Sequence, residues 1–227
     1  MECIILAGGL GTRLRGVIGN QPKCMAPVQG KPFLEHMFAY LEQQGCTRLI
    51  LSLGHRHEVI TDWLTTQNHP FGITHVIEQE PLGTGGGIRL AMQQSTTQNV
   101  LVLNGDTMFR IPLSGLLDHH RRHNAETTLA LKTMHQFQRY GVVRVNEQHT
   151  ITAFEEKKYY ETGLINGGIY CINRERFLAR NFPEKFSFET DYLERHVHEG
   201  IFSGYTHDAY FIDIGIPEDY ERAQTTL

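Results

Sequence analysis

The first half of the chain alternates short apolar runs with longer amphipathic ones. The apolar runs, made largely of Ile, Val and Leu, span residues 3–6, 48–53, 73–77 and 100–103. Between them, apolar residues recur at helical spacing over residues 33–41, 59–64 and 88–92. Strands that are apolar on both faces and alternate with helices are typical of parallel sheets. The pattern therefore predicts a mostly parallel, Rossmann-like α/β sheet with helices on both faces.

Beyond residue 126, strand-like runs predominate. They span residues 127–132, 142–145, 151–155, 165–172 and 209–214. The helix-like runs of this half span residues 174–180, 188–198 and 217–224. No linker, repeat or low-complexity segment separates the halves. We therefore expect a single domain over residues 1–227, in which a β-rich second half (126–227) extends the sheet built by residues 1–125 and closes over a ligand.

The composition argues against several classes of protein. The 227 residues carry a formal net charge of -4, whereas a general binder of nucleic acid or of anionic membranes needs a basic field. No apolar stretch approaches the length that spans a membrane, and no charged leader precedes the first strand. The cysteines form no Cys-x-x-Cys pair, which indicates reduced thiols. We expect a cytoplasmic enzyme without nucleic-acid or membrane partners, and the sequence leaves its oligomeric state open, a homo-oligomer included.

A glycine loop follows the first strand and ends in a cation. Gly8, Gly9 and Gly11 can turn successive backbone amides toward one anion without steric cost. Arg13 adds a planar fork for phosphate oxygens, and Lys23 adds a point charge about ten residues later. Neither the P-loop pattern nor the dinucleotide pattern fits this loop. A glycine turn between strand and helix is the simpler interpretation of a glycine pair alone, but the full set favours a polyphosphate site.

Two aspartates stand just beyond strand-like runs. Asp106 follows the run that ends at residue 103, and Asp213 precedes a glycine and the proline that opens a helix. Mg²⁺ prefers oxygen ligands and usually takes one or two protein carboxylates. The Asn104-Gly105-Asp106 segment fits an Asx turn or a helix cap equally well when taken alone. Together the two aspartates predict a site for Mg²⁺ as cofactor.

Further polar and glycine-rich segments are candidates for ligand contacts. The glycines of residues 81–87 could read the edge of a flat base through their backbone, or they could serve only tight helix packing. In the second half, Glu156 and Asn166 suit sugar hydroxyls, whereas Lys157 suits a phosphate. As isolated fragments these residues would more often be solvated polar groups.

Read together, these motifs resemble those of the sugar-1-phosphate nucleotidyltransferases. The hallmark of that family is an N-terminal LAGGxGTRL loop followed by Pro-Lys-Pro-Met, and residues 6–14 and 22–25 match it except that Cys24 replaces the second proline. The usual proline after the Arg-Leu pair is also absent, with Gly16 in its place. The resemblance covers essentially the whole chain. The segments PLGTGG, FEEK, GLINGGIY, KFSFE and DIGIPEDY look most like the D-glycero-alpha-D-manno-heptose 1-phosphate guanylyltransferases.

The resemblance implies a GT-A-like nucleotidyltransferase core, with residues 1–125 as the nucleotide-binding half and residues 126–227 as the sugar-phosphate-binding half. It implies transfer of GMP from GTP, or of another nucleotide, to a sugar 1-phosphate, for bacterial surface polysaccharide such as capsule, S-layer or LPS. The implied catalytic residues are Arg13, Lys23 and Asp106, and the implied metal ligands are Asp106 and Asp213. The implied nucleotide-binding residues are Leu6, Ala7, Gly8, Gly9, Gly11, Thr12, Arg13, Lys23, Gln79, Pro81, Gly83, Thr84, Asn104 and Gly105. The implied sugar-phosphate residues are Tyr140, Gly141, Glu156, Lys157, Asn166 and Gly167.

Three alternatives stay open at this stage. A related enzyme could use mannose, glucose or an amino-sugar 1-phosphate with GTP, UTP or dTTP. A nucleotide-sugar-dependent glycosyltransferase would usually carry Asp-x-Asp where this chain has residues 104–106, and it has no use for a triphosphate loop. A non-catalytic nucleotide-sugar-binding subunit could lose Arg13, Lys23 or an aspartate, and all of these are present. Because epimeric sugars differ by one hydroxyl, the sequence leaves the sugar undecided.

Overall fold

The computed structural model describes residues 1–9 and 15–227. The strands are β1 (Glu2–Leu6), β2 (Pro27–Val28), β3 (Lys31–Pro32), β4 (Arg48–Leu53), β5 (Gly72–Ile77), β6 (Asn99–Asn104), β7 (Thr107–Phe109), β8 (Thr127–Phe137), β9 (Val142–Val145), β10 (Ile151–Glu155), β11 (Tyr160–Asn173), β12 (Phe202–His207) and β13 (Phe211–Asp213). The α-helices are α1 (Arg15–Ile18), α2 (Phe33–Gln43), α3 (His57–Thr65), α4 (Gly83–Met92), α5 (Leu113–Arg122), α6 (Arg174–Leu178) and α7 (Pro217–Thr226).

A seven-stranded sheet runs through the molecule in the order β12-β8-β11-β6-β1-β4-β5. The pairs β6–β1, β1–β4 and β4–β5 are parallel, as is β12–β8. Strand β11 runs antiparallel to both of its neighbours. The predicted α/β class with a mostly parallel sheet is confirmed, and both halves of the chain contribute strands to this sheet.

Alternate residues of the central strands pack into two separate hydrophobic cores, one on each face of the sheet. On one face of the sheet, Ile5 and Leu51 join a cluster with residues of α2 and α5. On the other face, Ile4 and Ile50 join residues of α4 and the segment Phe188–Glu194. This explains why the first-half strands are apolar on both faces, since each face is covered by helices. All four strands predicted in this half are present.

The observed elements depart from the predicted ones in several places. The predicted helix over residues 188–198 begins as a π-helical segment, Phe188–Glu194, and ends in a 3₁₀ turn, Val197–Glu199. The prediction missed β12, whose six residues include Ser, Gly, Thr and His. It also missed α5, because two buried positions in that helix carry His119 and His120. Buried polar residues of this kind hide the apolar periodicity from a sequence pattern.

Smaller pairings beside the main sheet bring distant segments together. Strand β13 pairs antiparallel with β7 and sets Asp213 opposite Thr107. Strands β9 and β10 form a separate antiparallel pair. Within residues 1–9 and 15–227, no helix is both long enough and apolar enough to cross a bilayer.

Candidate active site

The loops that follow β1 and β6 meet at one edge of the sheet. These strands are parallel neighbours, so their carboxyl ends lie side by side. The Gly105 amide donates a hydrogen bond to the Leu6 carbonyl at 2.9 Å. A Cβ at Gly105 would lie 2.4 Å from that carbonyl oxygen, so the two loops can approach this closely only because residue 105 is glycine. This hydrogen bond connects the two loops at the edge of the sheet that is predicted to bind ligands.

A cleft of about 330 Å³ opens at this edge. Its walls bring together many of the predicted site residues from four separate segments of the chain. Those that line it are Leu6, Ala7, Gly8, Gly9, Lys23, Pro81, Gly83, Thr84, Asn104, Gly105 and Asp106. The predicted residues Gly11, Thr12 and Arg13 lie outside the described residues.

A cation and a carboxylate face each other in the cleft. Nζ of Lys23 donates a hydrogen bond to Oδ2 of Asp106 at 2.9 Å, and both side chains are about three-quarters buried, with exposed fractions of 22% and 29%. Lys23 lies in a 3₁₀ turn, Lys23–Met25, which Pro22 precedes. Cys24 sits buried in this turn where the family hallmark has proline, and burial, followed by the charge of Asp106, raises the pKa of its thiol to about 12. Cys24 is therefore a neutral wall residue, and the turn forms without the second proline.

Asp213 lies next to this pair. The amide of Ile214 donates to the Asp106 carbonyl at 2.9 Å, which links the end of β13 to the loop after β6. Burial, and then the negative charge of Asp106, raises the pKa of Asp213, whereas the Gly215 amide, at 2.7 Å from its Oδ1, and Lys23 lower it. Two carboxylates thus share one region with a single ammonium group. Among the described residues, no group of three or more His, Cys, Asp or Glu side chains could hold a metal ion.

The glycines of α4 have two different uses. A Cβ at Gly85 would lie 2.2 Å from the Phe186 ring, and one at Gly86 would lie 2.7 Å from the Glu184 carbonyl. These two glycines therefore serve close packing against the chain before the π-helical segment, the packing alternative of the sequence analysis. Gly83, at φ +75°, also contacts the Phe186 carbonyl, but it lines the cleft as well.

Sequence reasoning missed Glu78, which lines the cleft next to the predicted base contact. Gln79 is exposed and is absent from the cleft wall, whereas Glu78 directly follows β5 and reaches into it. Oε2 of Glu78 accepts a hydrogen bond from the Leu82 amide at 2.9 Å. A Cβ at Gly87 would lie 2.8 Å from Oε1, so this glycine makes room for the carboxylate. Burial raises the pKa of Glu78. Its position at a strand end was the signal that could have found it.

Glu189 is a second cleft residue outside the predicted site residues, although it ends the KFSFE segment quoted for the resemblance. It belongs to the π-helical segment of the second half and lines the cleft together with Thr84 of the first half. The Thr84 hydroxyl donates to Oε2 of Glu189 at 2.6 Å, and the Ser187 hydroxyl donates to the same oxygen at 3.1 Å. No sequence pattern signals a contact between residues so far apart in the chain.

The predicted sugar-phosphate residues do not line the cleft. Glu156 and Lys157 are exposed on the turn after β10. Asn166 sits at a bulge in β11, where its Oδ1 accepts from the Gly168 amide at 3.0 Å and its Nδ2 donates to the Tyr170 hydroxyl at 2.9 Å. The bulge orients Asn166 toward Tyr170, a buried residue of the second core.

Three other members of this set lie close to described neighbours. Burial, and then the charges of Asp213 and Asp219, raise the pKa of Tyr140. A Cβ at Gly141 would lie 2.4 Å from the Glu155 carbonyl, and one at Gly167 would lie 2.4 Å from the Phe109 ring. Both glycines are therefore required for close packing of the second half.

A family model described as nucleotidyl transferase matches residues 2–227. The chain belongs to the nucleotidyl transferase family. This nucleotidyltransferase is 48% identical to the D-glycero-alpha-D-manno-heptose 1-phosphate guanylyltransferase of Aneurinibacillus thermoaerophilus, over all of this chain and 98% of the relative. It is 44% identical to the protein of the same name from Campylobacter jejuni, over 97% of each chain.

Solved structures agree with this membership. The crystal structure of HddC from Yersinia pseudotuberculosis complexed with GMP-PN superposes with a TM-score of 0.88 at 36% identity, over 98% of this chain and 97% of HddC. A putative glucose-1-phosphate thymidylyltransferase from Bacillus anthracis has a TM-score of 0.83 at 21% identity and shares the fold. The nucleotidyltransferase assignment, and with it the expectation of an enzyme, is confirmed.

Proposed function

We propose that this nucleotidyltransferase transfers GMP from GTP to D-glycero-alpha-D-manno-heptose 1-phosphate, releasing pyrophosphate and forming GDP-heptose. The observation that carries the proposal is the full-length similarity, at 48% and 44% identity, to two relatives named for this activity. The crystal structure of HddC complexed with GMP-PN adds support for a guanine nucleotide. We place the reaction in the bacterial cytoplasm, where GDP-heptose would serve surface polysaccharide.

In this proposal the triphosphate binds at the carboxyl end of β1. Gly8 and Gly9 line the cleft and offer backbone amides to phosphate oxygens. Lys23, which pairs with Asp106 in the free protein, has a flexible side chain with three donors and can turn toward the phosphates. Arg13 completes the cradle as a predicted contact to the departing pyrophosphate. Each of these groups offsets negative charge that two phosphate-bearing substrates bring together.

The residues present fit a bound Mg²⁺. Burial raises the pKa of Asp213 and the charge of Asp106 raises it further, so the two carboxylates repel each other beyond what Lys23 offsets. Asp and Glu oxygens are the ligands this ion prefers, and Mg²⁺ usually takes one or two protein carboxylates beside substrate phosphates. We propose Asp106 and Asp213 as its ligands. When bound, the ion would supply positive charge to the reacting phosphate groups.

The base would lie against Pro81, Gly83 and Glu78. Guanine presents an N1 hydrogen and an exocyclic amino group on the same edge, and a carboxylate can accept from both. Glu78 places a carboxylate in the lining of the cleft, and its Oε2 is already oriented by the Leu82 amide. We therefore propose Glu78, rather than its exposed neighbour Gln79, as the residue that selects guanine.

The transfer itself needs no general base. A phosphate monoester has a second pKa of about 6, so the sugar 1-phosphate arrives largely as the dianion. One of its oxygens attacks the α-phosphorus of GTP in line, the bond to the β-phosphate bridging oxygen breaks, and pyrophosphate leaves. The chain contributes alignment of the two anions and electrostatic stabilisation by Lys23 and Arg13. Tyr140, Gly141, Glu156, Lys157, Asn166 and Gly167 stay predicted contacts to the sugar phosphate.

Pyrophosphate release tests the assignment. Purified protein is assayed with GTP, UTP, dTTP and ATP, each against heptose, mannose and glucose 1-phosphates. The proposal expects the highest kcat/KM for GTP with the heptose 1-phosphate. A preference for mannose 1-phosphate would refute the heptose assignment but not the transfer of a guanylyl group. Such a preference would agree with the 32% identity to the Mycobacterium tuberculosis mannose-1-phosphate guanylyltransferase, of which this chain covers 64%.

A further inference from the structure

The start of the π-helical segment is fixed against both halves of the chain. The Phe188 amide donates to the Thr84 hydroxyl at 2.9 Å, which ties the segment to α4. The Phe188 ring packs edge-on against the Tyr170 ring of β11, with 4.9 Å between ring centroids. The Ser187 hydroxyl accepts from the Thr190 amide at 3.2 Å and caps the first turn. The residue between these contacts, Glu189, is therefore held in one place at the cleft.

Hydrogen bonds to one oxygen, Oε2, orient the carboxylate of Glu189. Both hydrogen bonds that described residues donate to it, from Thr84 at 2.6 Å and from Ser187 at 3.1 Å, go to Oε2. An ionised carboxylate has two oxygens and about four acceptor positions. Oε1 therefore keeps acceptor capacity in a wall of the cleft that also contains Asn104 and Asp106.

The chemistry of a fixed carboxylate limits what can bind to it. It repels phosphate groups, so it does not belong to the triphosphate cradle at Gly8, Gly9 and Lys23. It accepts hydrogen bonds well from hydroxyl groups, since charge-assisted bonds are stronger than neutral ones. The GTP ribose and the sugar of the sugar 1-phosphate both carry such hydroxyls.

The surroundings of Glu189 favour the sugar. Its segment is tied to α4 through Thr84 and packs, through Phe188, on Tyr170 of β11, the strand that also carries Asn166. Burial, and then the charge of Glu189, raises the pKa of Tyr170, whose hydroxyl accepts a hydrogen bond from Asn166. Burial, and then the charges of Glu156 and Glu189, raise the pKa of Glu194. The segment that carries Glu189 thus contacts Tyr170, the hydrogen-bond partner of the predicted sugar-phosphate residue Asn166.

We propose that Glu189 is a specificity-determining residue of the sugar 1-phosphate site: Oε1 accepts hydrogen bonds from hydroxyl groups of the sugar while Thr84 and Ser187 hold Oε2. The inference rests on the proposed function only in taking a sugar 1-phosphate as the acceptor substrate. It does not depend on whether that sugar is a heptose or a hexose.

Steady-state kinetics of the full chain test the role of Glu189. Glu189→Gln keeps the size of the side chain and removes its charge, so the KM for the sugar 1-phosphate should rise about 10- to 100-fold, as expected for loss of a hydrogen bond to a charged group. The KM for GTP should change by less than about twofold. Glu189→Asp keeps the charge and should show a smaller rise. Glu147→Gln, the same substitution at an exposed carboxylate between β9 and β10 that is absent from the cleft wall, is the matched control and should leave both KM values unchanged.

The outcomes separate this inference from the proposed function. Wild-type pyrophosphate release with any sugar 1-phosphate tests the function by itself, and the variants are then compared with the sugar that the wild type uses. A rise in the KM for GTP alone would assign Glu189 to the ribose and overturn the inference. A fall in kcat with both KM values unchanged would also overturn it, because that result indicates an interaction made only in the transition state, or less active enzyme, rather than sugar binding.

Discussion

Lys23 and Asp106 form an ion pair of 2.9 Å between Nζ and Oδ2, although 83 residues separate them in the chain. The pair joins the turn after the glycine loop to the loop after β6, and Asp213 lies beside it. In the free protein the ammonium group offsets part of the charge of the two carboxylates. On substrate binding, phosphates and Mg²⁺ would take over these contacts, so the pair marks where the two anionic substrates meet.

Loss of the Lys23 charge should impair catalysis far more than stability. Lys23→Ala should lower kcat/KM for pyrophosphate release about 100- to 1000-fold, the range seen when one preorganised electrostatic contact is removed. Lys31→Ala is the matched control. Lys31 does not line the cleft, and its Nζ forms a surface ion pair with Oε1 of Glu35 at 2.7 Å. A Lys23→Ala enzyme with activity close to that of the control would contradict the role of this cation.

Glu78 and Gln79 offer a direct comparison of neighbouring residues. Glu78→Gln should lower kcat/KM for GTP about 10- to 100-fold, because one acceptor oxygen for the guanine edge becomes a donor amide. Gln79→Ala should change it by less than about twofold, since that side chain is exposed. The measurement is the ratio of kcat/KM values for GTP and UTP in each variant. The reverse result would restore Gln79 as the base contact.

These two residues also show where the sequence was informative and where it was not. The rule that ligands bind at the carboxyl ends of parallel strands located Gly8 and Asp106 correctly at one edge. The same rule could not tell which residue of Glu78-Gln79-Glu80 turns inward, because that depends on the space left by Gly8 and Gly87. The local sequence pattern predicts where the strands end, whereas tertiary packing determines which side chains point into the cleft.

Two further elements were harder to predict for a related reason. Helix α5 and strand β12 hold buried polar side chains that are satisfied by each other, as in the 2.8 Å contact between Nε2 of His119 and Oγ of Ser203. A pattern method counts such residues as surface positions. Glu189 was not among the predicted site residues, because its contact with Thr84 joins positions that are 105 residues apart in the chain. The fold class followed from the first half alone, since its four strands are plainly apolar.

The packing of Gly85 predicts a loss of stability on substitution. Gly85→Ala gains about 1 kcal/mol of helix propensity, but the new methyl group would lie 2.2 Å from the buried Phe186 ring. We expect the clash to outweigh the gain, with a net loss of about 1–2 kcal/mol in the free energy of unfolding measured in urea. Gly72→Ala is the control, because a Cβ there meets nothing within 4 Å. Equal stability of the two variants would count against this packing.

Two buried histidines predict how stability depends on pH. Burial, and then nearby positive groups, lowers the pKa of His119 and of His120 from 6.5 to about 4. For His119 these groups are His123, His149, Arg122 and His120, and for His120 they are Arg176 and Arg121. As the pH falls, the unfolded chain binds protons at these positions before the folded protein does. Their contribution is therefore fully present above about pH 6.5, falls between about 6.5 and 4, and levels off below that.

Urea unfolding at pH 7.5 and pH 5 measures this dependence. Each histidine should cost the wild type about 2 kcal/mol of unfolding free energy between these pH values, and the two together about 4 kcal/mol. His120→Gln removes one titrating group and should reduce the difference by about half. The exposed His55 supplies the control variant, His55→Gln, which should keep the wild-type difference. An unchanged difference in His120→Gln would show that His120 is not buried as a neutral group.

The most direct test of the proposed function is a competition for one active site. Wild-type protein is incubated with GTP, Mg²⁺ and equal concentrations of D-glycero-alpha-D-manno-heptose 1-phosphate and mannose 1-phosphate, and the GDP-sugars formed are separated by mass. The ratio of initial products reports the ratio of kcat/KM values without separate constants. We predict that GDP-heptose predominates. A predominance of GDP-mannose would contradict the assignment, and so would the absence of pyrophosphate release with either sugar.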